Sequence, residues 1–478
     1  MSDKWNKDYY RQEQEAFVSN HGGTTSQEVV YALVPNVCSF LLATTTLGFL
    51  GRHINKNVRL LLEFLLTVTP CILCCTILSK HVVAACMTML TISIINIALM
   101  KTNTTALSNY EMRPIRGRRP FITNFRALTN IITAVCILAI DFRIFPRKFA
   151  KTEVFGYSLM DTGVGLFILS NALVAPETRD FDIQRKIGFF HTLIKNIKHS
   201  AKSCIPLLIL GIGRCIAIEL IGYQKHVTEY GIHWNFFLTL AIVKLLTSSI
   251  TSTINSRYSL LSGVWILAMH EYILSTKGLK EWVLSNEPRD DFVSANREGI
   301  ISVPGYVGLY LIGVAVGRLI YSTYQTTLFC DSYFRVSRRL ANAGYCMWIL
   351  TLCTMMLTLL LLVEIVTDIL IYATIDPEFV VERKSRRAKV SFKMKLEERM
   401  NDECERSVIK RTLEIFEAVN YNGLFFFLLS NLMTGFINMV VYTLYVKQLT
   451  ALQILIAYMA VNITLSVILY RKKVQIKL

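Results

Sequence analysis

The chain has 478 residues, 53% of them hydrophobic and 18% charged, against roughly a quarter charged in a soluble domain. That balance excludes an ordinary soluble enzyme and predicts a polytopic membrane protein. The formal net charge of +17 would suggest nucleic acid in a soluble protein, but the basic residues fall mainly between apolar runs, so membrane lipids and not nucleic acid are the expected partners.

Residues 1–28 form a polar N-terminal segment with no basic region leading into an apolar core and cleavage site, so no removable signal peptide is expected. Residues 29–478 read as a single transmembrane domain. Apolar runs of about 20 residues recur about twelve times. They lie near 29–50, 58–78, 82–100, 123–142, 155–175, 203–222, 232–252, 259–275, 301–323, 342–371, 422–446 and 450–470. Backbone groups in lipid must be satisfied within the segment, so the fold class is all-α. The run at 342–371 is too long for one span and too short for two, and the basic tail Arg471-Lys472-Lys473 calls for an odd number of crossings; about 12 to 13 transmembrane helices are therefore expected. A long polar loop covers about 376–420. The twelve cysteines lie mostly inside apolar runs and read as small buried hydrophobes, and Cys71-x-x-Cys74 lacks a second pair that would make a zinc site.

Three basic connections fall on one side of the membrane in this count: Arg113 to Arg119, Arg179 to Lys186, and Arg335 with Arg338 and Arg339. Taking that side as cytoplasmic puts the N-terminus and the loop from Asp141 to Lys151 on the exoplasmic face.

Asp141, Lys151 and Asp161 stand at the margins of two apolar runs, where ionisable groups are costly and mark a site by default. Pro146 predicts a turn, and a turn would let Asp141 and Lys151 meet as a base beside a cation. The same residues equally describe a juxtamembrane salt bridge in a basic loop. In the stretch His226 to Asn235, a helix would line up His226, Glu229 and His233 on one stripe, although Gly231 weakens it. That stripe offers a metal site, a polar substrate cavity or an interfacial aromatic belt. Asn296-Arg297-Glu298 before the next run either binds a sugar or phosphate or caps a helix with a local ion pair. Arg214, Glu219, Lys244, Arg318, Glu364 and Asp368 lie within spans and are expected to pair between helices or to snorkel. Phosphate-binding loops, zinc helices and nucleophile elbows are absent from the sequence.

The segments Phe125-Arg126-Ala127, Leu138 through Asp141-Phe-Arg-Ile-Phe-Pro-Arg-Lys-Phe-Ala-Lys151, Ser158 to Gly165, His226 to Phe237 and Glu298 to Gly305 together resemble the inositol acyltransferase family of glycosylphosphatidylinositol (GPI) anchor biosynthesis. The resemblance implies a multi-pass endoplasmic reticulum enzyme with a lumen-facing cavity. It further implies transfer of a fatty acyl group, typically palmitoyl, from acyl-CoA to the inositol 2-hydroxyl of glucosaminyl-phosphatidylinositol, with no cofactor beyond that co-substrate. Asp141 and Lys151 match the family's pair of essential polar positions, as base and as oxyanion or carboxylate partner. Arg147 and Lys148 would meet CoA phosphates, and Asp161, His226, Glu229, His233, Asn235 and Asn296 are the other expected substrate contacts. Two alternatives stand beside this: His226 or His233 as the base, and a lipid or solute carrier using the same charges as a path.

Overall fold

The computed structural model describes residues 9–10, 12–14, 16–17, 19, 21–51, 54–100, 119–178, 189–221, 227–276, 278–285, 287–322, 336–374 and 409–476. His226, the predicted basic loops at 113–118, 179–186 and Arg335, and most of the polar loop lie outside these. The principal helices are α1 Ser26–Leu50, α2 Lys56–Cys75, α3 Val82–Leu99, α4 Pro120–Ala139, α5 Thr162–Ala172, α6 Phe189–Ile221 and α7 Phe236–Thr253. They continue with α8 Ser259–Thr276, α9 Arg297–Ser322, α10 Ala343–Ala373, α11 Glu414–Tyr421, α12 Gly423–Val440 and α13 Gln448–Arg471. Among the described residues, nine of these (α1 to α4, α7, α9, α10, α12 and α13) are long and apolar enough to cross a membrane, and the one β pairing is an isolated bridge, Thr24 with Tyr157. The protein is a polytopic all-α membrane protein.

Three predicted spans fall on helices outside that nine. The run at 155–175 yields only the 11-residue α5, because residues up to Asp161 run in turns. The runs at 203–222 and 259–275 fall on α6, which carries Lys198, Lys202 and Arg214, and on α8, which carries His270 and Glu271. The ambiguous run at 342–371 is one continuous helix of 31 residues, α10, about 46 Å long at the standard rise. The predicted loop also ends early: α11 places Ile415, Phe416, Ala418 and Val419 inside and Glu414 and Glu417 in its first turn, a narrow apolar face with acids where the helix dipole favours them.

The chain divides into two compact units, one of residues 1–29 and 147–354, the other of 30–146 and 355–477. In the first unit α9 is the central helix, with α5, α7 and α8 packed along it and α6 against α7. Small residues make that approach possible: a Cβ on Gly308 would lie 2.7 Å from the Leu267 side chain, and one on Gly313 2.7 Å from Ala172. At Gly305 the neighbour is rigid, since a Cβ would come within 2.0 Å of the Ala341 carbonyl oxygen, in a turn where Ala341 itself has φ +43°. Gly305→Ala is therefore expected to destabilise the protein by about 1–3 kcal/mol, read as a lower melting midpoint in detergent, because backbone must move to admit the methyl. An unchanged midpoint would contradict this packing.

In the second unit, α11 packs on α4 and α13, and α12 on α4. Carboxylates tie it together: the buried Glu364 accepts from the Phe121 amide at 2.7 Å at the start of α4, the buried Glu63 accepts from the Ile415 amide at 3.1 Å, and the partly exposed Asp368 pairs with Arg411 at 2.5 Å. The intramembrane acids Glu364 and Asp368 thus do pair between elements, as expected.

Candidate active site

The first unit holds a network of opposite charges centred on Lys151. The lysine follows the short turn Arg147–Phe149, and its Nζ lies 2.7 Å from Oε1 of Glu229, on the short helix Val227–Tyr230. The same Oε1 is 3.4 Å from Nη1 of Arg338, whose Nε donates to Oδ1 of Asp161 at 2.7 Å. Oδ2 of Asp161 accepts from the hydroxyl of Thr152 at 2.7 Å and from its amide at 3.2 Å. The ring closes through the chain, because Thr152 is bonded to Lys151. Tyr345 donates to the Asp161 carbonyl at 2.8 Å, and the Ser158 hydroxyl accepts from the Asp161 amide at 3.2 Å. Arg338 and Asp161 are buried, while the lysine side chain keeps 40% of its surface. The reachable end of the network is the ammonium.

Burial disfavours the charge on Glu229, but Lys151 and Arg338 outweigh it and hold the carboxyl at about 2. Burial likewise opposes the Arg338 charge, and Asp161 with Glu229 more than restores it. The sign for stability follows. Glu229 titrates below its unfolded value of 4.5, so its contribution is complete above that pH and is lost as pH falls through about 2. Wild-type protein is expected to lose up to about 3 kcal/mol more than Glu229→Gln on acidification from pH 5 towards 2, measured by paired melts. Equal acid sensitivity of the two would refute it.

A second cluster braces the first. The buried Glu298 takes Arg289 at 2.6 Å and 3.0 Å on its two oxygens and Arg339 at 3.1 Å, with Arg297 Nε at 3.8 Å. Arg297 donates to the carbonyls of Ser285 and Glu287 and lies over Trp282. Arg338 and Arg339, read from sequence as cytoplasmic loop charges, thus sit in internal ion pairs at the same end of this unit as Lys151, Glu229 and Asn296. That corrects the orientation drawn from them. A charge count cannot distinguish an arginine facing headgroups from one facing a buried carboxylate.

The other predicted residues divide by what holds them. Gly231, at φ +111° and with room for no Cβ because one would lie 2.5 Å from Asn296 Cα, ends the helix at Tyr230. Glu229 and His233 therefore do not share the expected helical stripe. His233 keeps an exposed side chain, and its amide donates to Asn296 Oδ1 at 2.8 Å. Asn296 is fully buried and also donates to the Phe292 carbonyl at 2.8 Å. Asn235 caps α7, accepting from the Phe237 and Leu238 amides at 3.1 and 3.2 Å and donating to the Gly211 carbonyl at 2.8 Å. Both asparagine amides are engaged by backbone. Lys148 pairs with Glu28 at 2.8 Å, and Arg147 lies 4.1 Å over the ring of Phe17. Among the described residues no group of three or more His, Cys, Asp or Glu could hold a metal ion.

In the second unit Asp141 follows the end of α4. Its Oδ2 accepts from the side-chain amide of Asn438, on α12, at 2.8 Å.

Thr152 and Arg289 do not stand out in the sequence, and Arg338 stands out there only as a basic loop residue. The partners of Arg338 lie 177 and 109 positions away, so no local spacing announces them.

Comparison with known proteins places these motifs in context. The GWT1 family model matches residues 10–328 and 321–469. The chain is 32% identical to the glucosaminyl-phosphatidylinositol-acyltransferase PIGW of Bos taurus over 98% of its own length and 99% of the relative's. It is 32% identical to the Homo sapiens protein of the same name, over 96% and 98% of the two chains. It is also 34% identical to GPI-anchored wall transfer protein 1 of Yarrowia lipolytica, over 77% and 76%.

Proposed function

The chain belongs to the GWT1 family, and we propose, from that membership together with the half-exposed ammonium of Lys151, an acyl-CoA-dependent mechanism for its reaction. It is a membrane acyltransferase that acylates the inositol of glucosaminyl-phosphatidylinositol in GPI-anchor biosynthesis. Its donor is acyl-CoA, its acyl group palmitoyl, its acceptor atom the inositol 2-hydroxyl and its location the endoplasmic reticulum membrane.

The observation that carries the mechanism is the ion pair at 2.7 Å whose lysine side chain, 40% exposed, is the more accessible end, against 17% for the glutamate. As the inositol oxygen attacks the thioester carbonyl carbon, negative charge grows on the carbonyl oxygen, and an ammonium already ordered by Glu229 meets it without reorganising. The hydroxyl proton goes to Asp141, a role given by its match to the family motif. The carbon–sulfur bond then breaks, the ester stays on the inositol, and CoA leaves as the thiol once its sulfur takes up the proton that Asp141 received, which restores the carboxylate. Arg147 and Lys148 exchange weak partners, an aromatic face and an exposed carboxylate, for the phosphates of CoA at little cost. His233 faces the polar headgroup, whereas Asn235 and Asn296 shape the backbone beneath it.

The test is transfer in detergent by the purified chain, given labelled palmitoyl-CoA and glucosaminyl-phosphatidylinositol. Labelled, inositol-acylated lipid is expected. A folded preparation that forms none would overturn the reading of donor and mechanism.

A further inference from the structure

The ring that holds Lys151 contains two carboxylates and two cations, so it is neutral when all four groups are charged, and its most exposed member is the lysine. We propose that Arg338 is a positioning residue for acyl transfer: by drawing on the Glu229 carboxylate it keeps the Lys151 ammonium available to substrate. This rests on the reading of Lys151 given above and deepens it.

The geometry carries the step. Oε1 of Glu229 is shared, 2.7 Å from the lysine nitrogen and 3.4 Å from Nη1 of Arg338. Arg338 is anchored at its other end by Asp161 at 2.7 Å, and Asp161 in turn grips the backbone amide and hydroxyl of Thr152. The lysine is thereby fixed at both ends, its backbone through Asp161 and its tip through Glu229, with one guanidinium linking the two anchors. The turn Val336–Asn342 that presents Arg338 is itself held. Ser337 donates to the Val154 carbonyl at 2.8 Å, Asn342 accepts from the Ser337 and Tyr345 amides, and His270 Nε2 meets the Leu340 carbonyl at 2.9 Å. The charged and titratable groups around the lysine and its glutamate are Asp161, Arg338, Tyr230, Tyr306 and Arg214. Without Arg338, Asp161 and Glu229 face one lysine, and the balance among the four ring groups falls by one positive charge. The ammonium is then held more tightly by the two carboxylates and is less available to substrate.

The experiment compares wild type, Arg338→Gln, Arg338→Lys and the double variant Arg338→Gln with Asp161→Asn. It has two readouts: transfer rates, and the rate of Lys151 labelling by an amine-reactive reagent at one fixed pH, followed by mass spectrometry. Arg338→Gln is expected to lower kcat by at least about 10-fold with KM for acyl-CoA within about 3-fold, and to slow labelling of Lys151 by about 10-fold. Arg338→Lys restores part of both rates. The double variant, neutral again, returns the labelling rate towards the wild-type value. A labelling rate that stays at the wild-type value in folded Arg338→Gln overturns the proposal, whatever the transfer rate. Labelling that slows as expected in a protein whose wild type transfers no acyl group sustains the coupling and sinks the reading of the reaction instead. Should Arg338→Gln fail to fold, Arg338→Met, which removes the same charge, and the double variant carry the comparison, and wild-type labelling and transfer rates in folded Arg338→Met overturn the proposal.

Discussion

Lys151→Ala is expected to reduce acyl transfer by about 10²–10³-fold while leaving the protein folded. The lysine tip is the exposed member of its ring, and Glu229 retains Arg338 at 3.4 Å when the amine is gone, so no carboxylate is left without a cation. A pair with one half-exposed partner contributes little to stability, about 0–1 kcal/mol, and the melting midpoint should move by only a few degrees. The loss should therefore fall on kcat, where an interaction made only with the developing oxyanion is felt, and not on KM for acyl-CoA. Lys151→Arg keeps the charge but replaces a compact ammonium with a planar fork, and should recover only part of the rate. The measurement is labelled lipid formed per folded enzyme, with circular dichroism and a melt on the same preparation. Transfer by folded Lys151→Ala at near the wild-type rate would remove the lysine from the mechanism.

How far the chain could be read in advance follows from the range of the interactions concerned. The helices were legible because burial in lipid writes itself into continuous apolar runs, and α1 to α4, α7, α9, α12 and α13 fall on predicted spans. The failures have local physical causes. At 155–175 the run is mostly apolar, but Asp161 within it needs the turn that lets Thr152 and Arg338 reach it, so only α5 remains helical. The expected stripe from His226 to His233 needs a continuous helix, which Gly231 interrupts, and Glu229 is engaged through Lys151 and Arg338 instead. Lys151 was found from sequence because a charge at a span margin is conspicuous. Its carboxylate partner within the first unit, Glu229, sits 78 positions away, and only its own place in a polar cluster at a span entry hinted at it. Arg338 and Arg339 gave the opposite signal, since paired arginines in a short connection are what cytoplasmic loops also contain. An internal arginine with its carboxylate far along the chain is indistinguishable from such a loop until the fold brings the partner in.

Asp141→Asn is expected to cost the reaction about 10²–10⁴-fold, the range that removal of a general base brings, with the fold again retained. The substitution is nearly isosteric, and the oxygen of the new amide can still accept from Asn438, the 2.8 Å contact that holds the carboxylate after the end of α4. What disappears is the capacity to take a proton. An amide is not basic at any pH in the working range, so the residual rate should lose the acid limb that a titrating carboxylate gives to kcat/KM, and raising the pH should not restore it. Asp141→Glu separates position from chemistry: it keeps the base but moves it by one methylene, and should retain measurable transfer with a pH profile of wild-type shape. A histidine base makes a different forecast, since Asp141→Asn would then keep the acid limb and His233→Gln would abolish it. Pairing the two variants in one assay decides which group receives the inositol proton. A folded Asp141→Asn enzyme with its limb intact and most of its rate would assign that role away from Asp141.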